Sequence, residues 1–247
     1  MKKIGIIGGL AWPSTADYYR LLCKKTNDHF QDKGYQSPFP TPPIIIESLN
    51  MNETRAARGQ DGDEASWIHF DSIFREAFDR LGNAGADFGL IASNTPHMRL
   101  KSIRRGLHLP IISILETTAS AIASIGGENA LILGTPITMR SSIYPEELQT
   151  HGIGALPPLP DTEIEELERL IDIDLYHGKF EGARERILSL CEIHVRNPAN
   201  DVVCLACTEL SLAFPEHSDT AHFEINGIRF INTTVAHVDV ALTQALA

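Results

Sequence analysis

The stretch Val202-Val203-Cys204-Leu205-Ala206-Cys207-Thr208-Glu209 decides the fold of this chain. An apolar run of strand length ends there in small polar and nucleophilic side chains, which is typical of a buried strand followed by a loop. The pattern occurs once before, where Phe88-Gly89-Leu90-Ile91 leads into Ala92-Ser93-Asn94-Thr95. Ser93 and Cys207 are separated by about half of the 247-residue chain. The sequence therefore predicts a duplicated molecule with two lobes.

Apolar runs and amphipathic segments alternate along the rest of the chain. Strands are predicted at 3–7, 44–46, 88–91, 111–114, 130–133, 202–205 and 229–231, with an extended piece at 152–156 and a polar loop at 50–63. Helices are predicted at 13–29, 64–84, 98–105, 116–125, 141–150, 162–176, 180–196 and 233–246. This alternation is typical of parallel sheets flanked by helices.

The predicted fold class is therefore α/β, with two pseudo-symmetric lobes that each contain a mainly parallel sheet. The N-terminal lobe is expected to comprise 1–108 plus 225–247, and the C-terminal lobe 109–224. Sheets of this type bind ligands at the carboxyl ends of their strands, in the polar loops that follow. We therefore expect the active site in the cleft between the lobes.

The amino-acid composition and charge of the chain exclude several classes of binding partner. The formal net charge is −11, so nucleic acid and anionic membrane surfaces would be repelled. The four cysteines are too few and too unevenly spaced for a disulfide framework, and no apolar run approaches the ~20 residues that span a bilayer. Lys2 and Lys3 lead directly into a strand, not into a signal-peptide core. These features predict a soluble cytoplasmic protein, in which local hydrogen-bond donors must hold any anionic substrate.

Cys207 is the best candidate for a reactive thiol because it stands at a polar strand end. Cys204 lies within the strand, at an odd offset that directs its side chain to the opposite face, so the two should not chelate a metal together. No second Cys-x-x-Cys and no nearby pair of histidines completes a metal set. We expect Cys23, Cys191 and Cys204 to be packing residues, and we expect no metal site.

Other side chains on the predicted loops suit a carboxylate ligand. Ser93 is a candidate nucleophile, although the Gly-x-Ser-x-Gly motif of serine hydrolases is absent. His97 is a candidate acid or base, but a solvated histidine is the commoner case. The remaining substrate-binding candidates are Trp12, Arg55, Arg58, Asn94, Thr95, Thr135, Thr138 and Thr208. Each of them alone could be a helix cap, a surface charge or a packing residue.

The glycine turn Gly8-Gly9 follows the first predicted strand and opens a helix. Backbone N–H groups at such a position can receive a carboxylate or a phosphate. The pattern is not Gly-x-Gly-x-x-Gly, so a dinucleotide is disfavoured. A plain turn before a capped helix is an equally good interpretation.

Four motifs in register resemble the aspartate/glutamate racemase family. They are Ile6-Ile7-Gly8-Gly9-Leu10-Ala11-Trp12-Pro13-Ser14-Thr15 with Tyr18-Tyr19-Arg20, then Ser93-Asn94-Thr95-Pro96-His97, Gly134-Thr135-Pro136-Ile137-Thr138-Met139, and Ala206-Cys207-Thr208-Glu209-Leu210. The resemblance covers almost the whole chain. It implies two pseudo-symmetric α/β lobes and a cofactor-independent mechanism, in which two cysteines act on opposite faces of the substrate α-carbon.

The sequence departs from this family pattern at two positions. The second cysteine is present as Cys207, but Ser93 stands where the resemblance implies the first. A serine hydroxyl is far less acidic than a thiol, so the symmetric two-thiol mechanism cannot operate as usual. Some relatives work with a hydroxyl residue here and favour one enantiomer. Asn232 stands where the family carries an acid in its late Asp-Thr-Thr segment.

The resemblance leaves three functional hypotheses. The first is a racemase of aspartate or glutamate, asymmetric because of Ser93, with a homodimer implied by family habit. The second is a related isomerase or a decarboxylase of the arylmalonate type, which needs only Cys207 to protonate a carbanion. The third is a catalytically silent carboxylate-binding protein. Fold alone does not distinguish them.

Overall fold

The computed structural model describes residues 1–60 and 62–247. Contacts divide the chain into two compact units, Met1–Ser113 with Val238–Ala247, and Ile114–His237. The predicted lobes of 1–108 plus 225–247 and of 109–224 differ from these units at both boundaries. Residues 109–113 belong to the first unit, and 225–237 belong to the second.

The first unit contains a parallel sheet of three strands. Its strands are β1 (Ile4–Gly8), β2 (Ile44–Ser48) and β3 (Phe88–Ile91). Its helices are α1 (Trp12–Asp32), α2 (Met51–Ala56), α3 (Ile68–Asn83) and α4 (Leu100–Ile103), with 3₁₀ turns at Glu64–Trp67 and Thr95–Arg99. The strand order is β2-β1-β3, and every residue of β1 and β3 is buried. Continuous apolar runs are what a sheet covered on both faces requires.

The second unit contains a sheet of five strands. Its strands are β4 (Asn129–Gly134), β5 (Gly154–Ala155), β6 (Asp201–Ala206), β7 (His222–Ile225) and β8 (Ile228–Asn232), in the order β5-β4-β6-β8-β7. Its helices are α5 (Ile114–Ser124), α6 (Pro136–Arg140), α7 (Ile143–Thr150), α8 (Asp161–Arg169) and α9 (Ala183–His194). The last helix, α10 (Thr233–Leu246), begins in this unit. A π-helix at Leu170–Asp174 and 3₁₀ turns at Leu175–His177, Thr208–Ala213 and Pro215–His217 complete it.

The two sheets begin with the same arrangement of strands. β1 lies between β2 and β3, as β4 lies between β5 and β6, and all four pairings are parallel. The Ser93 motif follows β3, and the Cys207 motif follows β6. The predicted α/β class and the parallel sheets flanked by helices are therefore confirmed.

The structure departs from the sequence prediction at two places near the first sheet. The predicted polar loop 50–63 contains helix α2, because the Asn50 side chain accepts a hydrogen bond from the Asn52 N–H and caps the helix. Asp61 of that loop lies outside the described residues. The predicted strand 111–114 is reduced to an isolated bridge between Ile111 and Gly89. That bridge still attaches this segment to β3, which explains the first boundary difference.

The second boundary difference comes from a hairpin that the sequence prediction missed. β7 pairs antiparallel with β8, and β8 pairs parallel with β6. Asn226 and Gly227 join the two strands with positive φ values of 53° and 79°. Asn-Gly is the preferred pair for such a two-residue turn, so this signal was present in the sequence. Pairing with β6 holds β8 in the second unit.

Among residues 1–60 and 62–247, no helix combines the length and the hydropathy that crossing a membrane requires.

Candidate active site

Ser93 lies directly beyond the carboxyl end of β3. The Ala92 N–H donates to the Ile7 carbonyl oxygen, so the β1–β3 ladder continues to the residue before Ser93. Asn94 and Thr95 are buried where the following 3₁₀ turn begins, with Asn94 just before its first residue. The chain therefore leaves the sheet at Ser93, whose side chain is half-buried.

His97 lies within the same turn and is buried, with 3% of its surface exposed. Its Nδ1 lies 2.9 Å from the Ser93 carbonyl oxygen. A carbonyl oxygen can only accept, so this contact places the ring proton of a neutral His97 on Nδ1 and makes Nε2 the basic nitrogen. The commoner solvated state considered for His97 does not occur, because the turn folds the side chain inward.

The other candidates of the first unit lie beyond β1 and β2. The Gly9 N–H donates to Thr15 Oγ1 at 2.9 Å, so that amide is already used within the turn. Trp12 begins α1 with 67% of its surface exposed. Arg55 lies in α2 and Arg58 just after it, both exposed. The loops that carry these residues follow neighbouring parallel strands and so leave the sheet at one edge.

In the second unit, Cys207 follows β6 and has 8% of its surface exposed. Its Sγ donates to Glu209 Oε2 at 2.9 Å, and Thr208 Oγ1 donates to the same oxygen at 2.9 Å. Glu209 is also buried, with 5% of its surface exposed. Within residues 1–60 and 62–247, its other oxygen, Oε1, is buried with no hydrogen-bond partner. The thiol and the carboxylate form a buried pair.

This pair keeps the Cys207 thiol protonated. Burial raises the pKa of Cys207 well above its ordinary value, and the negative charge and hydrogen bond of Glu209 raise it further. The charge of Asp172, in the π-helix, acts in the same direction. The Glu209 backbone N–H acts in the opposite direction, because it stabilises the thiolate. At neutral pH the resting group is therefore a proton donor.

Hydroxyl groups lie beside this thiol at the same sheet edge. β4 and β6 pair in register up to Gly134 and Ala206, so Thr135 and Cys207 follow directly opposite residues. The Oγ1 atoms of Thr135 and Thr138 are 3.1 Å apart. Thr135, Thr138, Cys207 and Thr208 are thus brought to one edge, where hydroxyl donors can receive a carboxylate.

Asn232 has a structural role at the start of α10. Its Oδ1 accepts from the Val235 N–H at 3.3 Å, which is the contact of a helix cap. The following residue, Thr233, donates its Oγ1 proton to the Leu205 carbonyl oxygen of β6 at 2.9 Å. An amide oxygen caps a helix as a carboxylate does. This contact is therefore retained although Asn232 stands where the family carries an acid.

The contact between Glu209 and Cys207 is not predictable from the sequence. Nothing there separates Glu209 from a solvated surface carboxylate. The 3₁₀ turn Thr208–Ala213 folds its side chain back onto the thiol. No cluster of three or more metal-binding side chains occurs in the part of the chain that the structure describes.

The chain is similar to known amino-acid racemases. A family profile described as Asp/Glu/Hydantoin racemase matches residues 7–241. The chain is 29% identical over 152 residues to the broad specificity amino-acid racemase RacX of Bacillus subtilis (strain 168), and this match spans 60% of the chain and 61% of RacX.

Solved structures extend the similarity over the full length. An aspartate racemase homologue from Pyrococcus horikoshii OT3 is 30% identical, covers 100% of both chains and superposes with a TM-score of 0.79. Picrophilus torridus aspartate racemase is 21% identical, covers 99% of this chain and 94% of its own, and superposes with a TM-score of 0.74. The latter similarity is one of fold.

Proposed function

The chain belongs to the Asp/Glu/hydantoin racemase family, and from this premise we propose that it is a cofactor-independent racemase of aspartate, glutamate or both. The observation that carries the proposal is the buried Cys207 thiol at the end of β6, beside hydroxyl groups. A racemase must move a proton at the α-carbon, and a positioned thiol supplies such a group. The family match and the similarity to an aspartate racemase homologue support the substrate class.

The proposed roles follow from the chemistry of each side chain. Cys207 is the acid/base group on one face of the α-carbon, and Ser93 is the weaker partner on the other. The proposed donors for the α-carboxylate are Asn94, Thr95, Thr135, Thr138 and Thr208. Donors placed before reaction stabilise the enolate charge that develops as the proton leaves.

The side-chain carboxylate of the proposed substrate needs a cationic ligand. The hydrocarbon part of the substrate can pack against an aromatic ring. Arg55 and Arg58 are the proposed ligands of the side-chain carboxylate, because both follow β2 on an edge that also carries Ser93. An Arg guanidinium can bind a carboxylate with two hydrogen bonds. Trp12, exposed at the start of α1, is the proposed wall.

Proton NMR in D₂O tests this function. L- and D-aspartate and L- and D-glutamate are incubated with the protein, and loss of the α-proton signal is followed together with the enantiomer composition. We expect faster exchange from one enantiomer of at least one amino acid, because thiol and hydroxyl differ in acidity. The relative RacX is described as having broad specificity, so neutral and basic amino acids complete the panel.

Cys207→Ala should abolish exchange, whereas Cys23→Ala is the matched control and should retain it. Cys23 is a half-buried thiol on α1, so its loss removes a cysteine without touching the proposed site. Exchange that survives in Cys207→Ala would place the chemistry elsewhere. The absence of exchange from every amino acid in the wild-type protein would contradict the racemase proposal.

One observation favours a second candidate reaction. The protonated state of Cys207 suits a group that only donates a proton, as in the decarboxylation of a malonate-type acid, where the carbanion arises by loss of CO₂. Release of CO₂ from substituted malonates, without α-proton exchange of amino acids, would identify this activity. Binding of dicarboxylates with neither reaction would instead identify a binding protein.

A further inference from the structure

A thiol that removes an α-proton must first lose its own proton. Burial, Glu209 and Asp172 all raise the pKa of Cys207, so few molecules hold the thiolate at neutral pH. The proton therefore needs an acceptor within hydrogen-bond distance. In the described part of the chain, Glu209 Oε2 is the acceptor of the Sγ–H bond, at 2.9 Å.

The geometry of Glu209 suits a proton acceptor. Its Oε2 receives the Cys207 and Thr208 protons, while Oε1 is buried without a hydrogen-bond partner among residues 1–60 and 62–247. An unpaired buried oxygen is costly in a group with only a packing role. One side of this carboxylate therefore remains available to hold a proton. The Glu209 backbone N–H favours the thiolate that remains on Cys207.

We propose that Glu209 is the proton acceptor for Cys207 in the forward half-reaction. The inference rests on the proposed racemase function. In the first step the Sγ–H bond breaks and an O–H bond forms on Glu209, so the pair keeps its single negative charge. In the second step the thiolate takes the α-proton, and the electron pair of the Cα–H bond stays on the substrate as a carbanion.

The reverse transfer closes the cycle. When the carbanion takes a proton from the Cys207 thiol, the thiolate recovers the proton held on Glu209, and the pair returns to its resting state. When the Ser93 hydroxyl protonates the other face instead, its Oγ takes a proton back from solvent and Glu209 releases its proton to solvent, so the site returns to its resting state. Glu209 does not touch the substrate in this scheme, so it is a positioning residue that acts through Cys207.

Two measurements on the same variants test the proposal. The first is the D₂O exchange rate of the best substrate. The second is the rate of Cys207 alkylation by iodoacetamide as a function of pH, quantified on the Cys207 peptide by mass spectrometry. Only the thiolate is alkylated, so the midpoint of the second curve reports the pKa of Cys207 without requiring any enzymatic activity.

Glu209→Gln should make the Cys207 thiol easier to alkylate and at the same time slow the exchange. The alkylation midpoint should fall to lower pH, because the negative charge beside the thiol is gone, while exchange should fall about a hundredfold or more, because the acceptor is gone. Glu209→Asp restores the carboxylate and should recover part of the exchange.

Asp172→Asn is the comparison variant, since Asp172 acts on the thiol through its charge. It should lower the midpoint with a much smaller loss of exchange.

The outcomes distinguish this proposal from the racemase proposal. Exchange by Glu209→Gln within about threefold of wild type, or an unchanged alkylation midpoint, overturns the acceptor role. If the wild-type protein exchanges no amino acid, the racemase proposal fails, and the midpoint shift alone supports or overturns the Cys207–Glu209 coupling. Cys191 and Cys204, which are fully buried, must stay unalkylated in every variant, and this verifies that the fold is intact.

Discussion

At Cys207 and Ser93, equivalent strand ends carry groups of very different acidity. The thiol has an ordinary pKa near 8.5, whereas an alcohol must be activated by an adjacent base. The buried His97 lies four residues after Ser93, but its Nδ1 contacts the backbone carbonyl oxygen of Ser93. We therefore expect proton transfer on this face to limit inversion.

Ser93→Cys should convert one-sided exchange into two-sided racemisation. We expect the rate of inversion to rise about tenfold or more, because a thiol donates and accepts a proton more readily than a hydroxyl. Chiral chromatography of the product, run beside the exchange assay, measures the change.

Ser124→Cys is the matched control for this variant, because Ser124 is an exposed residue at the end of α5. It adds a thiol away from the proposed site and should leave inversion unchanged. An inversion rate in Ser93→Cys equal to that of wild type would exclude Ser93 from the assigned role.

The β4–β6 pair holds Cys207 at its position. At Gly134 the partner strand is so near that an added Cβ atom would lie 2.9 Å from the Ala206 carbonyl oxygen. Glycine is required there because backbone, unlike a flexible side chain, cannot move aside cheaply. Ala206 immediately precedes Cys207, so any displacement of this strand end moves the thiol.

Gly134→Ala should reduce both stability and exchange. We expect a loss of about 1–3 kcal/mol in the free energy of unfolding, from overpacking, and a tenfold to hundredfold slower exchange, from misplacement of the thiol. Urea denaturation and the D₂O assay measure the two effects.

Gly82→Ala is the control variant, and we expect it to change the stability in the opposite direction. Gly82 lies in α3 with open space around its Cα, so alanine should stabilise the protein by about 0.5–1 kcal/mol through helix propensity. Its exchange rate should equal that of wild type. If Gly134→Ala behaved in the same way, the close approach of β4 and β6 would not position Cys207.

Buried thiols and a buried phenol stay protonated in the folded state. They make the free energy of unfolding of the whole molecule depend on pH in the alkaline range. Burial raises the pKa of Cys191 and of Cys204 to about 12, and the pKa values of Cys207 and Tyr144 are also raised. The folded state therefore retains protons that the unfolded chain loses. The stability they contribute is fully present below the unfolded pKa of a thiol, near 8.5, and decreases as the pH rises.

The free energy of unfolding should fall between about pH 8.5 and pH 11. Each thiol contributes a slope of up to about 1.4 kcal/mol per pH unit once it is ionised in the unfolded chain only. Urea denaturation under reducing conditions measures this slope. Replacing Cys191 and Cys204 together by alanine should lower stability at pH 7 but flatten the alkaline slope. An equally steep slope in that double variant would assign the effect to other groups.

The sequence by itself determined the fold class, the duplication and most of the strands. Buried parallel strands must be continuous apolar runs, and the helices between them must be amphipathic, so both are readable without tertiary contacts. The motifs around Ser93 and Cys207 were readable for the same reason, since each follows such a run. Helix α2 and the Asn226-Gly227 hairpin carried local signals as well, which the prediction missed.

Only the tertiary structure decided which groups share an environment. The assignment of β8 to the second unit depends on its pairing with β6, and that contact is distant in sequence. The Cys207–Glu209 pair depends on a 3₁₀ turn that folds a carboxylate inward, whereas local sequence would leave that carboxylate in water. Burial sets the protonation state of the thiol, because desolvation is a property of the packed molecule and not of the residue.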